Sequence, residues 1–120
     1  MLDFYHNPRC SKSRQVMQML QDRKIQFKVC DYTREGLGKQ QLAELMQKWK
    51  GDPIHLVRTQ SEEYLAFCRN YGSEEMDANH ISLFLQQHPH TLQRPILVSA
   101  HKAVIGRPPE AVLPFLDNLI

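Results

Sequence analysis

The residues best equipped for chemistry lie near the start of the chain, in His6-Asn7-Pro8-Arg9-Cys10-Ser11-Lys12-Ser13-Arg14. One thiol is flanked there by a histidine, a lysine and two arginines. Strand-like residues precede it, and Val16, Met17 and Leu20 follow it at helical spacing. Strand, tight loop, cysteine, helix: this order places Cys10 at a helix N-terminus. Unpaired N–H groups and the positive end of the helix dipole favour a thiolate there. Arg9, Lys12 and Arg14 add nearby positive charge. The same features make a pocket for an anion. A thiolate in an anion pocket is a nucleophile aimed at an oxyanion centre.

Spacing excludes other cysteine chemistries. A dithiol redox motif needs a second cysteine where Ser13 stands. A phosphatase-type loop sets its arginine farther from the cysteine than Arg14 is from Cys10. No Cys or His pair has zinc spacing, and His88 and His90 flank a proline, so no metal is expected. Cys30 falls in a strand-like run and Cys68 in a helix-like one, and both are read as packing residues. With no partner cysteine in the motif, an outside thiol must restore Cys10 after turnover. Ser13 then leaves resolution to that partner, and its hydroxyl can hydrogen-bond the thiolate.

The elements that must position these groups follow from periodicity and breakers. Residues 2–6 read as a strand ending at Asn7-Pro8, residues 11–23 as a helix and residues 25–32 as a second strand. A loop over 33–39 leads to a helix over 40–49, broken by Gly51-Asp52-Pro53. Two more helices are expected over 61–72 and 77–89, the latter capped by Asp77 and ended by Pro89. Residues 95–100 and 102–106 are apolar and β-branched and read as a hairpin turning over 99–102. Residues 108–120 read as a closing helix, with a kink at Pro114. The order β-α-β, helices, β-β-α predicts an α/β sandwich with a mixed sheet.

Bulk properties fit one domain over 1–120. Fifteen basic and 13 acidic residues give a net charge of +2, too balanced to suggest nucleic acid. No apolar run is long enough to span a membrane, and the first residues lack the apolar stretch of a signal peptide. Three cysteines at scattered spacing are not a disulfide framework, which fits a reducing, cytoplasmic setting.

Three stretches, "YHNPRCSKSR", "LQRPILV" and "IGRPPEAVL", together resemble the arsenate reductase family that uses glutathione and glutaredoxin. The resemblance runs essentially from residue 2 to residue 119, with the segments in the same order. It implies a thioredoxin-like fold in which residues 40–89 form a helical insertion. It further implies that Cys10 attacks arsenate to form a thiol ester, that glutathione adds as co-substrate, and that glutathione and glutaredoxin together complete reduction to arsenite. No cofactor is implied to stay bound. Arg58, Arg94 and Arg107 fall where the family places arginines around the oxyanion. Guanidinium groups suit a tetrahedral dianion because they stay charged and offer paired donors. His6 and Arg14 match family positions near the nucleophile, and Ser13 matches one that tunes it. Pro95 corresponds to the proline that thioredoxin-like folds hold in a cis peptide beside the active thiol.

Two other functions suit the same fold. One is a glutathione-dependent thiol reductase, whose relatives tend to lack the arginine found here as Arg107. The other is a non-catalytic RNA polymerase-binding regulator resembling the redox-sensing Spx proteins. "HPHTLQRP" fits the latter, but Ser13 removes the Cys-x-x-Cys switch these proteins usually carry.

Overall fold

A computed structural model describes residues 2–71 and 77–119. It forms two compact units, one of Met1–Glu35 with Arg94–Ile120, the other of Gly36–Gln93.

The first unit is built on a four-stranded sheet, counted among the described residues, in the order β2-β1-β3-β4. Strand β1 is Leu2–Tyr5, β2 is Phe27–Cys30, β3 is Ile96–Val98 and β4 is Ala103–Ile105. Helix α1, Ser11–Asp22, is the crossover that lets β2 lie parallel to β1. Phe4 pairs with Val29 on that side and antiparallel with Leu97 on the other. The β3–β4 hairpin pairs Val98 with Ala103, and its turn is closed by the Ser99 N–H donating to the Lys102 carbonyl at 2.8 Å. β1 and β3 are inner strands, which explains why "LDFY" and "ILV" are so apolar.

Leu2 and Phe4 share the face that packs on Val16 and Leu20 of α1 and on Val112, Phe115 and Leu116 near the C-terminus. Alternation puts Tyr5 and its register partner Cys30 on the opposite face. The end of the chain is a 3-10 turn, Pro109–Val112, followed by a short helix, Leu113–Asp117, in place of the single kinked helix expected over 108–120. Pro114 thus stands in the first turn of an α-helix, where its missing N–H costs nothing. A short helix, α2 (Tyr32–Glu35), occupies the start of the loop expected over 33–39. It begins at Tyr32, expected at the end of the second strand over 25–32, and buries that side chain, so β2 is shorter than expected.

The second unit carries α3 (Lys39–Lys48), a 3-10 turn at Pro53–Leu56, α4 (Glu62–Tyr71), α5 (Ala78–Gln87) and a 3-10 turn at Pro89–Thr91. Its core includes Leu42, Leu45, Leu56, Phe67, Ile81, Phe84 and Leu92, with Tyr64 edge-on to Phe84 at 5.5 Å. Asp77 caps α5 through the His80 N–H at 2.9 Å, as its position before the helix predicts. Gly72, at the end of the helix expected over 61–72, and Ile120, at the end of the closing helix, lie outside the described residues. Among the described residues no helix is long and apolar enough to cross a membrane.

Candidate active site

Cys10 is the N-cap of α1, half-exposed, with extended backbone at φ −93° and ψ 124°. The loop before it is a tight turn organised by Asn7. The Asn7 carbonyl accepts the Cys10 N–H at 3.0 Å, and its side-chain oxygen accepts the Arg9 N–H at 3.0 Å. This is the geometry for which Asx-Pro turns are suited. The turn leaves the sulfur at the open end of the helix. Burial pushes the Cys10 thiol upward. The Ser13 N–H, the Arg94 guanidinium as donor and as charge, and the Lys12 N–H outweigh that, so the net direction is down. The sulfur makes no short capping bond of its own. A thiolate is large and diffuse, and N–H groups aimed at it from a longer distance still favour its charged form.

The local run of charge and the arginines placed by the family resemblance contribute differently at the sulfur. Lys12 contributes through its backbone, and the arginine at the sulfur is Arg94, from the far end of the chain. Arg14 instead donates from Nη1 to the Pro8 carbonyl at 2.9 Å, which braces the loop.

Ser13 differs from expectation. One turn before Val16, it falls on the core face of α1 and is fully buried. A buried hydroxyl needs partners. Ser13 Oγ finds them in His6 Nδ1 at 2.6 Å and in the Asn7 N–H, which donates to it at 3.1 Å. The Ser13 group that faces the sulfur is thus its N–H, with its hydroxyl engaged elsewhere. His6 is buried with its ring against Phe4 at 4.8 Å. Burial lowers its pKa, Asp31 opposes this, and Arg14 adds to it, so the net direction favours the neutral imidazole.

Arg94, Pro95 and Arg107 complete the group within the first unit. The Arg94–Pro95 and Arg107–Pro108 peptides are both cis. The Gly106 N–H donates to the Pro95 carbonyl at 2.8 Å, and Arg107 Nε donates to the Arg94 carbonyl at 2.9 Å. Arg58 is carried by the second unit, where its N–H donates to the Thr91 carbonyl at 2.7 Å. The turn expected at Asn7-Pro8 is present, and the structure adds that the Asn7 side chain helps to build it.

A model of the ArsC family matches residues 5–115. The chain belongs to the ArsC family. An arsenate reductase of Haemophilus influenzae is 33% identical over 115 residues, covering 93% of this chain and 96% of that protein. The arsenate reductase ArsI2 of Synechocystis is 30% identical, covering 98% of this chain and 83% of its own. Among solved structures, an arsenate reductase from Vibrio cholerae superimposes with a TM-score of 0.84 at 31% identity, covering 94% of this chain and 95% of that one. The α/β fold with its mixed sheet is the thioredoxin-like fold of ArsC proteins.

Proposed function

We propose that this ArsC protein reduces arsenate to arsenite, with Cys10 as nucleophile. The observation that carries the reading is the pairing of a thiolate-favouring helix N-terminus with the Arg94 guanidinium at the same sulfur. The Cys10 thiolate attacks arsenic, and an arsenate hydroxyl takes a proton from solvent and leaves as water, so an S–As bond replaces an As–O bond. Arg94 and Arg107 hold the oxyanion and offset its charge, so that two anions can approach each other. Arg58 is assigned as the third arginine on the family's sequence pattern. His6, Ser13 and Arg14 hold the loop that presents the sulfur, and Pro95 fixes the segment bearing Arg94.

Glutathione then attacks the Cys10 sulfur. The S–As bonding pair passes to arsenic, releasing arsenite and leaving a Cys10–glutathione mixed disulfide. Glutaredoxin reduces that disulfide by thiol exchange. The need for an outside thiol is supported by the serine at position 13 and by three cysteines that are all free. Such a cycle belongs in a reducing, cytoplasmic compartment.

The test is arsenate-dependent NADPH oxidation coupled through glutathione, glutaredoxin and glutathione reductase. Turnover that needs all three thiol components supports the proposal. Absence of arsenate turnover alongside brisk reduction of a glutathione mixed disulfide overturns it in favour of a thiol reductase.

A further inference from the structure

Gly106 sits where no side chain fits. A Cβ there would lie 2.8 Å from Pro95 Cγ, 3.1 Å from Val16 Cγ2 and 3.2 Å from Val112 Cγ1. The Gly106 φ lies outside the left-handed region, so space and not backbone conformation demands the glycine. Its three neighbours belong to different parts of the site. Pro95 is bonded to Arg94, Val16 lies on the helix that begins at Cys10, and Val112 closes the 3-10 turn after Arg107. Pro95 is buried and its Cγ belongs to a closed ring, so it cannot swing aside as a flexible side chain would. The Gly106 N–H already holds the Pro95 carbonyl at 2.8 Å, which ties the two backbones face to face. A methyl at Gly106 must therefore push the Pro95 segment away from α1, or α1 away from it.

We propose that Gly106 is a positioning residue, whose missing side chain lets the Arg94–Pro95 segment pack against α1 so that the Arg94 guanidinium reaches Cys10. Arg94 lies just before β3 and Cys10 at the end of the loop after β1, so their separation is set by how closely these pieces pack. Gly106 lies at the point where both are in contact. The inference rests on the Cys10 thiolate reading and not on the identity of the oxyanion.

The experiment follows iodoacetamide alkylation of Cys10 against pH, without arsenate, in a Cys30→Ser/Cys68→Ser background. It compares the parent, Gly106→Ala, Arg94→Ala and the double variant Arg94→Ala/Gly106→Ala. Gly106→Ala should raise the alkylation midpoint by about half a pH unit or more, a threefold loss of thiolate at fixed pH. Arg94→Ala should raise it at least as much, and adding Gly106→Ala to Arg94→Ala should raise it no further, because both act through one contact. Val104→Ala, a truncation in the same core, should lower the melting temperature and leave the midpoint in place. If Gly106→Ala does not hold its fold by circular dichroism, Val16→Ala/Gly106→Ala vacates the 3.1 Å contact and carries the same comparison. An unchanged midpoint in the folded variant overturns the proposal. So does a full further rise in the Arg94→Ala background, or an equal rise in Val104→Ala. Failure of arsenate turnover in the parent would sink the arsenate reading alone, since no arsenate enters these measurements.

Discussion

Arg107 Nε donates to the Arg94 carbonyl at 2.9 Å, so one candidate oxyanion-binding arginine braces the backbone of the other. The two residues flank the paired Pro95 and Gly106, joined by their own 2.8 Å backbone bond. Arg94 acts directly on the sulfur, whereas Arg107 holds the segment that carries Arg94.

This division of labour separates the two arginines experimentally. Replacing either with Ala should cost a charge-assisted bond, about 1.5–3 kcal/mol or roughly ten- to a hundredfold in kcat/KM for arsenate. Only Arg94→Ala should also raise the alkylation midpoint of Cys10 by a large amount. Arg107→Lys should recover little, because an ammonium offers no in-plane Nε donor for the Arg94 carbonyl. Equal midpoint shifts in Arg94→Ala and Arg107→Ala would contradict the division.

The thiols should react in a fixed order. Cys10 is pulled below an ordinary thiol against the effect of its own burial. Cys30 is pushed up, by burial first and then by Asp3 and Glu35 against Lys28. At neutral pH limiting iodoacetamide should label Cys10 well before Cys30, as read by peptide mass. Labelling of Cys30 first would show that the thiolate support at α1 is absent.

Ser13→Ala should destabilise the protein although it removes no catalytic atom. It deprives buried His6 Nδ1 and the Asn7 N–H of a shared partner. An unsatisfied buried polar group costs about 1–3 kcal/mol, which denaturant unfolding would resolve. A variant as stable as the parent would mean that water replaces the hydroxyl.

Stability should also weaken as the solution becomes mildly acidic. His6 binds a proton less readily folded than unfolded, so the unfolded chain takes up more protons and gains as pH falls. The loss should begin near the unfolded value of 6.5 and deepen below it until the folded imidazole itself protonates. His6→Gln should flatten the dependence between about pH 7.5 and 5.5, where ordinary carboxylates stay ionised. A parent protein with level stability across that window would refute the assignment.

Much of the fold was legible along the chain because its signals are local. Period and breakers located β1, α1, α3, α5 and the β3–β4 hairpin within a few residues, since one buried face imposes its spacing on the residues that form it. The closing helix was harder to read. Two prolines in succession allow either a 3-10 turn or a first α-turn, and packing of Val112, Phe115 and Leu116 on the core selects between them.

The thiol's place at a helix start was determined by neighbouring residues alone, because strand, Asn-Pro turn and helix are contiguous. Local spacing did not show what surrounds the sulfur; the family resemblance placed Arg94 and Pro95 near it, and only tertiary structure decided how each group is used. A run such as Arg9, Lys12 and Arg14 shows charge but not direction. Folding turned Arg14 onto the Pro8 carbonyl and brought Arg94 to Cys10. Ser13 looked like a partner for the thiolate until burial on the core face of α1 committed its hydroxyl to His6. Gly106 carried no local signal at all, because its requirement is for space between Pro95, Val16 and Val112. Such demands arise from atoms distant in the chain meeting at close-packed density, and no pattern of near neighbours encodes them.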